Sequence, residues 1–289
     1  MSKRRVQSWR EAGYTFFVAL FLMTCNTTGN RSEAGKNLLL VQKPVAILSY
    51  SLIHSFPHDT TAFTEGLVFH HHELYESTGA PDNLPQTKSL FGSVDLKTSK
   101  IKVKAMLDRN QYFGEGIAFL NGKVYQLTYK TKVGFIYDAT TFKKLKAFTF
   151  LNKEGWGLTT DGKNLIMSDG SNALTYWDPE NLQVVKTIPV SENGYAEDYL
   201  NELEFINGYI YANLWTTNTI VKIDPMTGMV IAKLDLSALA EDSKTIFPGS
   251  LEMNGIAYDS ISNLVYVTGK LWPKVYEIKI KGISNNPTL

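Results

Sequence analysis

After Pro44, apolar and polar positions alternate with a period of two, in short runs closed by Gly, Asn, Asp or Pro. That is the pattern of half-buried β-strands, and one arrangement of it recurs. The segments "FTEGLVFHHHELYESTG" from Phe63, "FGEGIAFLNGKVYQLTY" from Phe113, "EGWGLTTDGKNLIMSDG" from Glu154, "YLNELEFINGYIYANLW" from Tyr199 and "EMNGIAYDSISNLVYVTGK" from Glu252 are equivalent. Each reads as a strand, a tight turn and a second strand. In three of them the turn is "NGK", "DGK" or "NG", which are strong hairpin signals because both central residues need positive φ. Two further strands follow in most units, such as "VGFIYDA" and "KKLKAFTF" after the second, and "TIVKIDP" and "MVIAKLDL" after the fourth.

Four strands recurring every 40 or 50 residues or so are the signature of a β-propeller blade. Five units predict an all-β, five-bladed β-propeller with four antiparallel strands per blade. Only three strands follow Asn254, namely "GIAYD", "LVYVTGK" and "KVYEIKI". The fourth is expected from residues 44–56, "PVAILSYSLIHSF", so that an N-terminal strand joins the last blade, closes the ring and removes its open edges. The propeller thus spans residues 44–281, with 282–289 as a tail, and no helix is expected beyond a turn or two near "LSALAEDS".

In a propeller the first strand of each blade lines the central channel. Glu65, Glu115, Trp156, Asn201 and Asn254 hold matching positions at the start of those strands and are expected to converge. The ends of the second strands add Trp215 of "NLW" and Lys270 of "TGKLW". Any one of these could merely seal the channel with hydrogen bonds. Two acids, a lysine and two tryptophans together point instead to a site for a small polar ligand, since buried charge is costly unless paired or functional. Glu115 stands between Gly114 and Gly116, a setting that lets another group approach the backbone closely and is read as room for a substrate.

Other chemistry finds little support. "HHHE", from His70 to Glu73, falls in the first hairpin loop, and neighbours on a strand face opposite ways, so it reads as an exposed turn rather than a metal site. There is no HExxH, paired CxxC, Walker loop or GxSxG elbow. Zinc hydrolysis, nucleotide chemistry and α/β-hydrolase chemistry are therefore not indicated.

Residues 1–25 form a separate unit: Lys3, Arg4, Arg5 and Arg10, the apolar run "FFVALFLM" and then Cys25. This is the pattern of a secretory signal, and the run is too short to span a bilayer. "LMTC" resembles the bacterial lipoprotein signal, in which Cys25 becomes the lipidated first residue; an ordinary leader with a chance cysteine is the other reading. Either way the protein is expected to be exported, periplasmic or extracellular, with membrane contact only through a lipid on Cys25. Residues 26–43 are mostly small and polar in their first part and read as a flexible linker. Cys25 is the only cysteine, so no intrachain disulfide forms. Without the leader, 25 basic residues face 27 acidic ones. With near-neutral charge and no basic stripe, nucleic acid is excluded as a partner. The chain is expected to be a monomer.

"FTEGL", "YESTG", "FGEGIA", "WGLTTDG", "SDGS", "NELE", "NGYIYANLW", "NGIAYD" and "VTGKLWP" occur in this order across residues 44–280. Together they resemble the glutaminyl cyclases (glutaminyl-peptide cyclotransferases) of plant and bacterial type. The resemblance implies a five-bladed propeller that converts the N-terminal glutamine of peptides or proteins to pyroglutamate with loss of ammonia and without a catalytic metal. Whether a structural calcium is bound stays open. Carried over by motif, the site comprises Phe63, Glu65, Glu115, Trp156, Asn201, Trp215 and Lys270. One departure is Glu65, where many members carry glutamine. The expected catalytic residues are Glu115 as proton shuttle, Lys270 as oxyanion stabiliser or partner of a carboxylate, and Asn201 orienting the carboxamide. Phe63, Glu65, Trp156, Trp215 and Asn254 are expected to bind substrate. Two other readings are a non-catalytic exported propeller that binds a peptide or saccharide, and a calcium-dependent propeller hydrolase of the lactonase kind using Asn201, Asn254 and the two glutamates as oxygen ligands.

Overall fold

The computed structural model of the chain describes residues 44–283; the expected leader, the linker to residue 43 and the tail from residue 284 lie outside the described residues. Five blades of four antiparallel strands follow one another, each running from the channel outward; one carries an added edge strand, and Ser191–Glu192 pairs with Tyr195–Ala196 as a separate two-stranded ribbon. Blade one is Phe63–His70, Glu73–Gly79, Leu90–Val94 and Ile101–Met106. Blade two is Gly114–Leu120, Lys123–Thr128, Val133–Asp138 and Lys144–Thr149, and blade three is Leu158–Thr160, Leu165–Met167, Ala173–Trp177 and Val184–Pro189. Blade four is Leu200–Ile206, Tyr209–Leu214, Thr219–Ile223 and Val230–Asp235. Blade five is Met253–Asp259, Leu264–Gly269 and Lys274–Ile280, completed on its outer edge by Tyr50–Pro57. The innermost strands pack on one another in a closed ring.

Burial explains this order. Every residue of the inner strand Gly114–Leu120 is buried, whereas the outer strand Lys144–Thr149 is largely exposed. Apolar side chains fall into five clusters, one between each pair of neighbouring blades. Between blades two and three, for example, Tyr125 and Leu127 meet Leu158 and Trp177. Burying an aliphatic or Phe side chain of this kind is worth roughly 1.5–3 kcal/mol, so each blade is stabilised chiefly by its neighbours and the ring by its closure.

The closing segment does more than expected. Only Tyr50–Pro57 joins blade five, antiparallel to Lys274–Ile280. Ala46–Ile47 instead runs parallel to Val230–Asp235 on the edge of blade four, pairing Ala46 with Ala232 and Ile47 with Lys233. The residues entering blade one add a polar lock at this seam. His58 is fully buried with Nδ1 2.8 Å from the Trp272 carbonyl and Nε2 3.1 Å from the Glu76 carboxylate, which also accepts the Thr64 hydroxyl at 2.6 Å. Burial opposes a charge on His58, but the attraction of Glu76 outweighs it and raises its pKa.

The turns follow their sequence signals. Asn121–Gly122 and Asn207–Gly208 both have positive φ at each residue. His71 and His72 take the same left-handed conformation, with φ of 47° and 67°, so "HHHE" is a hairpin turn built from two histidines. His70 stacks on Phe119 with ring centroids 4.0 Å apart. The connection from blade four to blade five contains one helix, Ser237–Ile246, longer than the turn or two expected. It is held by Asp242, which receives Lys274 Nζ at 2.9 Å and the Tyr276 hydroxyl at 2.7 Å.

Candidate active site

Four of the five inner strands slip register where the candidate residues sit. The slips fall between Thr64 and Gly66, Gly114 and Ile117, Leu200 and Leu203, and Met253 and Ile256. A β-bulge leaves residues without a cross-strand partner and re-aims their side chains. Glu65, Glu115, Asn201 and Asn254 are the residues so released. In blade three, Trp156 lies just ahead of the short strand Leu158–Thr160.

Neighbouring blades lock these bulges together. The Ser77 hydroxyl donates to the Glu115 carbonyl at 2.5 Å and the Ser168 hydroxyl to the Asn201 carbonyl at 2.7 Å, while Gly255 N–H donates to Asn213 Oδ1 at 3.0 Å. Gly116 N–H donates to the Trp156 carbonyl at 2.8 Å. A Cβ on Gly116 would lie 2.5 Å from that carbonyl oxygen, and one on Gly157 would collide with the Asn201 carbonyl. A Cβ on Gly114 would likewise lie 2.7 Å from the Thr78 carbonyl oxygen, so the glycines beside Glu115 do not make room for a substrate, contrary to the expectation from sequence. They let adjacent blades close up around the acid.

The resulting cavity, about 210 Å³, is lined by Phe63, Glu65, Phe113, Glu115, Tyr129, Trp156, Asn201, Trp215 and Lys270. Seven of the eight residues expected at the site thus meet in one place, and Asn254 does not. It is fully buried behind the wall, with Nδ2 donating to Glu65 Oε2 at 3.0 Å and to the Thr64 carbonyl at 3.1 Å. Asn254 positions Glu65 instead of facing a ligand.

Two lining residues escaped the sequence reading, although the repeat carried the signal for both. Phe113 precedes Glu115 as Phe63 precedes Glu65, and the two rings meet edge-on at 5.8 Å. Tyr129 ends the hairpin of blade two as Trp215 ends that of blade four. Its N–H bonds the Phe113 carbonyl just as that of Trp215 bonds the Tyr199 carbonyl. Glu154, at the mouth, accepts the Trp156 indole N–H at 2.9 Å and fixes that ring, which meets Trp215 edge-on at 5.5 Å.

The charged groups divide sharply. Lys270 Nζ lies 2.9 Å from Glu65 Oε1 and 4.7 Å from the centre of the Phe63 ring. Glu65 is therefore held on one oxygen by Lys270 and on the other by Asn254. Glu115 is only 4% exposed, yet its carboxylate has no hydrogen-bond or ion-pair partner among the described residues. Burial and then the Glu65 charge push its pKa well up, with Lys270 opposing and Glu154 adding to the rise. Burial pushes Glu65 up to about 7, against the pull of Lys270. Burial disfavours the Lys270 ammonium, but Glu65 and Glu115 outweigh it and hold its pKa above the usual value. Asn201 lines the cavity, and its Oδ1 is buried without a hydrogen-bond partner among the described residues.

Below this tier the channel is closed by two more carboxyls of the "NELE" motif. Glu202 accepts Leu67 N–H at 3.1 Å from blade one and Ile256 N–H at 2.8 Å from blade five. Glu204 accepts Tyr258 N–H at 2.9 Å. These two tie blades across the channel and stay out of the cavity.

Comparison with known proteins agrees with this geometry. A family model described as glutamine cyclotransferase matches residues 17–280. The chain is 40% identical over 269 residues to the glutaminyl-peptide cyclotransferase of Arabidopsis thaliana, covering 92% of this chain and 81% of that one. It is also similar to the crystal structure of Myxococcus xanthus glutaminyl cyclase, with a TM-score of 0.74 and 32% identity over 82% of this chain and 98% of that one. On its sequence and its five-bladed fold alike, the chain belongs to the glutamine cyclotransferase family.

Proposed function

We propose that the chain is a glutaminyl-peptide cyclotransferase that closes the N-terminal glutamine of peptides and proteins to pyroglutamate, an intramolecular acyl transfer that releases ammonia and requires no metal. The observation that carries this reading is a buried carboxylate with free oxygens, Glu115, beside a Glu65–Lys270 ion pair in a small aromatic cavity. At about 210 Å³ the cavity falls below the usual range for drug-sized ligands and suits a single residue.

The substrate amine has an ordinary pKa of about 7.7–8 and reaches the site largely as ammonium near pH 7. Burial holds the Glu115 carboxyl well above the usual carboxylate range, which favours proton exchange with that amine. Glu115 takes one proton from the ammonium, and the freed amine attacks the γ-carboxamide carbon. The attacking nitrogen then gives up a second proton, which passes through the Glu115 carboxyl to the leaving nitrogen. The C–N bond breaks, and ammonia departs with the proton still held on Glu115, as ammonium. Lys270 spends one N–H on Glu65 and has donors left for the oxyanion. The open Asn201 Oδ1 receives a carboxamide N–H, and Trp156, Trp215 and Phe113 hold the glutamine chain so that its ends meet. Holding the two ends together supplies part of the roughly 7–11 kcal/mol that positioning can contribute.

The test is ammonia release from a Gln-initiated peptide with and without a chelator. Chelator-insensitive release supports the proposal; release lost with the chelator favours a metal enzyme, and no release favours a binding module. Export with lipidation at Cys25 is proposed on the leader alone, and mass spectrometry of the N-terminus of the membrane-bound protein tests it.

A further inference from the structure

The aromatic wall of the cavity continues beyond it. Trp156 and Trp215 line the pocket, and Tyr199 lies against Trp215 with ring centroids 6.0 Å apart, yet Tyr199 is outside the lining and 55% exposed. Its repeat position is that of Phe63 and Phe113, which turn into the cavity. Tyr199 thus extends the partly buried Trp156–Trp215 pair outward as an exposed aromatic surface.

The backbone is built to hold it. Tyr199 has φ of 66°, a left-handed conformation that a bulky residue seldom adopts and that persists only where the surroundings impose it. Both of its peptide groups are tied: its N–H donates to the Gly170 carbonyl at 3.0 Å, and its carbonyl accepts the Trp215 N–H at 2.9 Å. Gly170 in turn leaves the space that the Trp156 ring fills, since a Cβ there would lie 2.7 Å from that ring. The ring at the rim and the two tryptophans inside are thus fixed by one set of contacts.

A peptide whose first residue fills the cavity must carry its second residue out over the rim. We infer that Tyr199, with the outer edge of Trp215, forms a subsite for the side chain of the second residue and favours large apolar or aromatic side chains there. The inference rests on the cyclotransferase reading and adds a preference to it. An aromatic contact of this kind is worth about three- to tenfold in kcat/KM.

The test compares Gln-Phe-Ala amide with Gln-Ala-Ala amide in the wild type, Tyr199→Asn and Tyr199→Phe. Asn removes the ring and tolerates the left-handed backbone, and Phe keeps the ring. The expected result is a wild-type preference for the Gln-Phe peptide of about three- to tenfold, collapsing toward unity in Tyr199→Asn and kept in Tyr199→Phe. A wild-type ratio near one, or a preference unchanged in Tyr199→Asn, overturns the subsite while leaving the activity standing. Ammonia from neither peptide overturns the activity and the subsite with it.

Discussion

Lys270 and Glu65 meet across the seam where the ring closes, Nζ to Oε1 at 2.9 Å, with both side chains more than nine-tenths buried. Taking away one partner strands the other. Lys270→Met should cost about 3–5 kcal/mol in chemical denaturation, and adding Glu65→Gln to it should restore most of that stability without restoring turnover. Equal instability in the single and double variants would show that the ion pair is not the source of the loss.

The second prediction follows from the electrostatics of the same pair. Glu115 is raised by burial first and by the Glu65 charge next. Glu65→Gln removes the second cause, so the pKa of Glu115 should fall. Because Glu115 must be ionised to take the proton from the amine, the acid limb of the kcat/KM profile should move to lower pH. A limb that stays in place, or moves up, would show that another group sets it.

A third concerns the channel below the site. Burial raises Glu204 from the ordinary 4.5 to about 8, and Glu202 is raised as well, by burial and then by Glu204. Between these values the folded state holds protons that the unfolded chain has lost. The stability Glu204 confers in this way is complete below about pH 4.5 and is lost as pH rises through about 8, and Glu202 acts in the same direction. Each proton so held gives a slope of up to about 1.4 kcal/mol per pH unit. Tm should therefore fall from pH 5 to pH 8, and Glu204→Gln, which stays neutral and keeps an acceptor for Tyr258 N–H, should flatten the fall. An unchanged slope would place the titration elsewhere.

The sequence revealed the ring of Glu65, Glu115, Trp156 and Asn201 because a repeat position in a propeller maps onto one place in space. Alternation and Asn-Gly turns fixed the strands for the same reason, each being a local property. What stayed hidden depends on contacts between blades. The bulges add a residue to one strand without any mark in its pattern, so nothing in "NGIAYD" places Asn254 behind Glu65. Gly114 and Gly116 look like space for a ligand, and only the neighbouring Thr78 and Trp156 carbonyls show that the space is already taken. The parallel pairing of Ala46–Ile47 with blade four joins residues far apart in the chain and has no local signal.

The account stands or falls on Glu115. Glu115→Gln keeps the volume of a side chain that bonds to none of the described residues, so Tm should be at or above that of the wild type. The direct measurement is ammonia release by this variant from a Gln-initiated peptide at saturating substrate. Loss of the proton carrier predicts a fall in kcat of about 10²- to 10⁴-fold with little change in KM. Turnover within a few-fold of the wild type from a properly folded variant would contradict the assignment of Glu115 as proton carrier.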